Sequence, residues 1–410
     1  MVDVCFYFQV HQPYRLRDYS IFEIGNNSHY YYDDKNRSVL RKVAHKCYLP
    51  ANKTILNLIK KHPEFKASYS FSGVVLDQFE EYAPDVLNSF QELVDTGNVE
   101  VLDETYYHSL AFVYSIDEFK KQVGMHRKKV KELFNYKPKV FRNTELIYNN
   151  YLAKNAEEMG YEGVIAEGAD HVLGWRSPNF VYRPYTTSKI KLLLKNYRLS
   201  DDIAFRFSCR EWKEFPLYAD KFAGWVNQVN GNGHCVNLFM DYETFGEHQW
   251  QETGIFNFLD HLPNEIFKHP DNGFVTPTEL VRKHEPVGEL DIPYMVSWAD
   301  VERDLSAWLG NRMQQSALNS IFQLEKDVKS INDQKLLHDW RRLQTSDMYY
   351  YMCTKWFNDG NVHKYFNPYD SPYDAFIIFM NILNDMKLRI AKAKTEVEKN
   401  GLCTGNVCIQ

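Results

Sequence analysis

The chain has 410 residues, 25% of them charged, and a formal net charge of −6. That length implies one large domain plus a smaller one, and the acidic balance excludes the basic stripe of a nucleic-acid binder or an anionic-membrane binder. No apolar run reaches the eighteen residues a membrane-spanning helix needs.

From the N-terminus, Val4–Val10 reads as a buried strand and not as a secretory leader, because no basic region precedes it and the segment carries Asp3. The strand runs into His11-Gln12-Pro13, where proline ends it and leaves His11 at its C-terminal end. Further strand-like runs are Lys66–Phe71, Val99–Leu102, Lys139–Arg142, Gly163–Ala166, Val236–Met240 and Gly273–Thr276, with Tyr197–Ser200 as an extra strand or hairpin arm. Most are apolar on both faces, as buried parallel strands are. Helical patterns at Ala51–His62, Ile116–Phe134 and Asn150–Met159 fall between them, and this alternation predicts a parallel α/β sheet or barrel over residues 1–300. Beyond that the strands stop. Arg312–Ser330, Lys335–Trp356 and Pro372–Lys399 read as three long amphipathic helices, the last two separated by Asn358-Asp-Gly360 and Asn367-Pro368, which makes 301–410 a helical domain. Seven scattered cysteines without a CxxC pair fit free thiols in a reducing cytoplasm.

Two acidic segments carry the chemistry. Phe141-Arg-Asn-Thr-Glu145 and Met240-Asp241-Tyr-Glu243-Thr-Phe-Gly246-Glu-His248 each follow a strand-like run. A (β/α) barrel presents its catalytic groups at the C-terminal ends of strands, and two carboxylates delivered there suit a glycosidase. Either segment alone reads equally well as a helix start, and chemistry alone leaves Asp241 and Glu243 both open as the acid. No two of the 14 histidines stand three to five positions apart, so the common zinc spacings are absent and no metal or cofactor is expected. Gly231-Asn-Gly233 precedes a strand and so is a turn, not a dinucleotide loop. The 28 Tyr, 27 Phe and 8 Trp imply a large aromatic core with rings to spare for sugar faces.

Five ordered segments resemble the motifs of glycoside hydrolase family 57, α-amylase type. They are His11-Gln-Pro13, Gly97-Asn-Val-Glu100-Val-Leu, Phe141-Arg-Asn-Thr-Glu145-Leu, Met240-Asp241-Tyr-Glu243-Thr-Phe-Gly246 and Ser297-Trp298-Ala-Asp300-Val-Glu302-Arg303-Asp304. The resemblance implies an incomplete (β/α)7 barrel with a C-terminal helical bundle and retaining cleavage of α-glucans or maltooligosaccharides. It implies Glu145 as nucleophile and Asp241 as acid/base, with His11, Glu100, Trp298 and Asp300 contacting sugar. Trp175, Glu243 and His248 are further candidates for substrate binding. Close alternatives are a 4-α-glucanotransferase or branching enzyme of the same family. More distant ones are a metal-dependent polysaccharide deacetylase and a non-catalytic glucan binder.

Overall fold

The computed structural model describes residues 2–331, 333–355, 363 and 367–404. Trp356, the expected break at Asn358–Gly360 and Cys408 lie outside them. By contacts the chain forms two compact units. The first holds residues 1–12, 37–106 and 119–299, and the second holds 13–36, 107–118 and 300–410.

The first unit is a parallel α/β barrel left incompletely closed. Its strands are β1 (Val2–Val10), β2 (Ala67–Phe71), β3 (Val99–Val101), β4 (Val140–Arg142), β5 (Gly163–Glu167), β6 (Arg183–Pro184), β7 (Lys191–Lys195), β8 (Cys235–Asp241), β9 (Asn272–Phe274) and β10 (Glu289–Leu290). One sheet runs β3-β2-β1-β8 with β9 added to β1, another runs β4-β5-β7, and β6 and β10 form a small separate pair. Only a bridge between Asp103 and Phe141 joins the two main sheets on one side. On the other, the Asn196 amide donates to the Asn237 carbonyl at 2.9 Å.

Strand alternation divides the apolar residues into two cores. Val2, Val4, Phe6, Phe8 and Val10 of β1 face outward and pack with Ala67, Tyr69, Phe71, Val236, Leu238 and Met240 under the surrounding helices. Cys5 and Tyr7 face inward, with Val140, Ile165, Leu193, Cys235 and Phe239. The inward phase then turns polar toward the C-terminal ends. Continuing it by twos reaches Gln9, Arg142, Glu167, Lys195 and Asp241. The register agrees, since Gln9 is the partner of Asp241 and Glu167 the partner of Lys195.

One expectation changes here. Tyr197–Ser200 opens a helix, Tyr197–Ala204, because the Asn196 side chain accepts from the Leu199 amide and caps it. The strand in this region is instead Lys191–Lys195, three leucines between two lysines.

In the second unit, the stretch expected as one helix over Lys335–Trp356 is helical at Gln334–Arg342 and again at Ser346–Tyr350. Tight i to i−3 bonds from Gln344 and Thr345 end the first helix. Arg312–Ser330 is likewise two helices, Arg312–Gln323 and Glu325–Ile331, while the last helix runs Pro372–Thr404. Buried polar contacts pin the unit together: Asp385 accepts from the Tyr30 hydroxyl at 2.5 Å and the Gly25 amide at 2.6 Å, and the Arg342 guanidinium lies 3.7 Å over the Tyr14 ring. No helix among the described residues is long and apolar enough to cross a membrane.

Candidate active site

Glu145 sits one turn beyond β4, on a short 3-10 segment, Thr144–Leu146. Its backbone is left-handed (φ 58°, ψ 24°), and Leu146 follows at φ 50°. Non-glycine residues seldom adopt this conformation, which costs about 1–3 kcal/mol and gathers at functional sites. The turn is held by bonds from the Leu146 amide to the Asn143 carbonyl (3.0 Å) and from the Asn143 side chain to the Ile147 carbonyl (2.9 Å). An antiparallel bridge between Tyr148 and Val296 fastens the next residues to the fifth motif. Trp298, two residues past that bridge, donates its amide to the Glu145 carbonyl (3.2 Å) and its indole Nε1–H to Glu145 Oε2 (2.8 Å). The third and fifth motifs are thus parts of one construction.

Cations surround this side of the mouth. Arg142 is fully buried; it donates to Gln9 Oε1, lies 3.6 Å from Glu104, and stands 5.2 Å over the Trp298 ring. Lys195 is 4% exposed, pairs with Asp201 at 3.1 Å and Glu167 at 3.7 Å, and stands 5.5 Å over the same ring.

The β8 side is acidic instead. Asp241 ends the strand half-buried, beside Gln9 of β1. Glu243, on the following 3-10 turn, is buried and accepts from the Tyr48 hydroxyl and, at 3.5 Å, from Gln12. Burial, and next the Asp241 charge, push Glu243 up to about 8, so it holds its proton at neutral pH. Gly246 closes this loop at φ 116°, where a Cβ would stand 1.9 Å from the Lys46 carbonyl oxygen. Only glycine fits a turn pressed so closely on its neighbour.

The other expected residues are distributed as follows. His11 Nδ1 meets the Ser72 hydroxyl at 2.6 Å, at the N-cap of the helix Gly73–Tyr82. His248 is half-buried beyond Glu243, and burial lowers it to about 4, leaving a neutral ring. Trp175 is 90% exposed on the segment after β5, near Arg176. Glu100 lies deeper, level with Ser68 and Tyr7, and its two oxygens accept from the amide (2.8 Å) and hydroxyl (2.5 Å) of Thr278. Asp300 belongs to the second unit, where it accepts from His363 at 3.1 Å and Lys355 at 3.2 Å. Burial opposes ionisation of both Asp300 and His363, but their mutual contact wins, holding Asp300 below its usual range and raising His363 to about 9. Among the described residues no three His, Cys, Asp or Glu are grouped to hold a metal ion.

Sequence reading missed Gln9, Tyr48, Arg142, Glu167 and Lys195. Four of these continue the inward strand phase, a signal available once the strands are aligned.

The sequence profile of Glycosyl hydrolase family 57 matches residues 5–293. A Methanocaldococcus jannaschii protein named "Putative alpha-amylase" is 46% identical over 415 residues, covering 97% of this chain and 87% of its own. The chain belongs to glycosyl hydrolase family 57 and is a glycoside hydrolase by class. In fold it is similar to a family 57 branching enzyme from Pyrococcus horikoshii (TM-score 0.64, 17% identity, 86% of this chain and 85% of that one). It is also similar to a 4-alpha-glucanotransferase from Thermococcus litoralis (TM-score 0.64, 16% identity, 85% of this chain), of which it spans 56%.

Proposed function

We propose that the protein hydrolyses α-1,4-glucosidic bonds of starch, glycogen or maltooligosaccharides with retention of configuration. The observation that carries this reading is the pairing of an oriented carboxylate with two adjacent acids, one of which, Glu243, holds its proton. Glu145 is held on a left-handed turn by the Trp298 indole N–H. Asp241 stands beside Glu243, which is pushed up to about 8.

In the first step Asp241 gives its proton to the glycosidic oxygen while Glu145 attacks the anomeric carbon, forming a glycosyl ester as the sugar leaving group departs. In the second, Asp241 takes a proton from water, which attacks the same carbon and frees Glu145. Glu243 keeps a neutral carboxyl beside Asp241, because burial and the Asp241 charge both disfavour its ionisation. His11, Trp175 and His248 are assigned to substrate contact, and the family resemblance implies the same role for Asp300. Glu100, bonded to Thr278, supports the barrel wall from within. The five free cysteines among the described residues, Cys5, Cys47, Cys209, Cys235 and Cys353, favour a cytoplasmic location.

Incubation with maltoheptaose, followed by NMR of the first products, tests the reading. Shorter products carrying the α-anomer are expected. Longer products would assign the chain to glucan transfer, and a β-anomer would overturn retention.

A further inference from the structure

The proposed mechanism uses Glu145 and the acid pair, and leaves a buried cation without a role. Lys195 ends β7 almost wholly inside the protein, which is costly for an ammonium unless it is paired. Its partners are Asp201 and Glu167, so the cluster contains two acids and one base. The same ammonium stands 5.5 Å over the Trp298 ring, with Arg142 5.2 Å from it. Cations at such distances are drawn to an indole face, most strongly where water is excluded. They also pull electron density from the ring, which makes its Nε1–H a better donor. That N–H is the one bonded to Glu145 Oε2 at 2.8 Å.

We infer that Lys195 is a positioning residue for the nucleophile: it fixes and polarises the Trp298 indole, which in turn orients Glu145 toward the anomeric carbon. The inference rests on Glu145 being the nucleophile. Glu167 and Asp201 hold the ammonium in place over the ring. Lys195 therefore acts on the chemical step through another side chain and has no part in sugar affinity.

The test uses the full chain and 5-fluoro-α-glucosyl fluoride. Fluoride leaves the anomeric carbon, an ester forms to the nucleophile's carboxylate oxygen, and mass spectrometry locates the labelled residue. In Lys195→Met the labelling rate and the kcat on maltooligosaccharides should both fall roughly tenfold to a hundredfold, the range typical of residues that orient a reacting group through a second contact. KM should not change. Lys195→Arg, which returns a cation over the ring, should recover most of the rate. Trp298→Phe, which keeps a ring but loses the N–H, should reproduce the defect of Lys195→Met. Since Lys195→Met leaves two acids around an apolar side chain, Lys195→Met/Glu167→Gln provides a second route to the same measurement if folding fails. An unchanged labelling rate, a loss confined to KM, or a fall in Tm without a fall in kcat would overturn the inference. Label on a residue other than Glu145 would overturn the functional reading instead, so the two failures are distinguishable.

Discussion

The two rims of the barrel mouth hold their carboxylates in different surroundings, and the difference accounts for a division of labour. On the β4–β5–β7 rim, Glu145 takes a hydrogen bond from Trp298, and two buried cations stand over that indole. On the β8 rim, Asp241 adjoins Glu243, whose partners Tyr48 and Gln12 are neutral. Retaining cleavage needs one carboxylate ionised and the other protonated at the same pH. The barrel achieves this by giving Glu145 a hydrogen-bond donor backed by two cations on one rim and by crowding two acids on the other.

The largest break in this comparison comes from removing the nucleophile. Glu145→Gly should lower kcat by roughly a thousandfold or more. It should not unfold the protein, because glycine accepts the φ of 58° without strain. Azide should enter the vacated space and, with an activated leaving group, yield a β-glycosyl azide. Near-native turnover without azide would place the nucleophile elsewhere. On the opposite rim, Asp241→Asn should cost about 10²–10⁴-fold on glucans, the usual range for general acid–base catalysis. The loss should be much smaller on substrates whose leaving group needs no proton, and an equal loss on both would remove Asp241 from the acid role.

Glu243→Gln sharpens the comparison through pH. Glu243 sits at about 8 in the folded protein against an ordinary 4.5. The folded state therefore binds the extra proton, and its stability falls as pH rises between those values. The variant lacks this penalty, so its Tm relative to the native protein should increase from pH 4.5 to pH 8. A Tm difference independent of pH would contradict the assignment. The smallest effect on activity is expected in the second unit. Tyr30→Phe leaves the buried Asp385 without one of its donors and should cost about 1–3 kcal/mol in denaturant unfolding, with kcat unchanged.

Much of the fold was legible because barrel strands are short apolar runs that end at punctuation. β1 through β5 and β8 emerge within a residue or two of their positions, and Ile116–Phe134 is a helix throughout its predicted length. β7 was missed because its outer residues are Lys191 and Lys195, which read as solvent-facing when the next strand is unknown. The helical stretch over Lys335–Trp356 was read as continuous because amphipathic spacing persists across Leu343–Thr345, where the chain turns to bridge Ser109, more than two hundred residues earlier. Glu145 and Asp241 were singled out by the order of the five family-like motifs, since placement at strand ends alone left Glu243 equally open as the acid. Arg142 and Lys195 could not be, since their role depends on a tryptophan more than a hundred residues away along the chain.

The pairing of β1 also governs how the barrel can be made. β1 bonds to β2 along Tyr7–Val10, to β8 along Asp3–Gln9 and to β9 along Val2–Val4. It is synthesised before every strand it pairs with, and one of its edges waits for residue 235 and part of the other for residue 272. At about 5–20 residues per second, a ribosome leaves that apolar strand half-paired for roughly ten to fifty seconds. The N-terminal strand is thus both the foundation of the barrel and the element longest exposed during its synthesis. Conditions that slow translation over residues 11–234 should lower the yield of soluble protein without altering the stability of the molecules that fold.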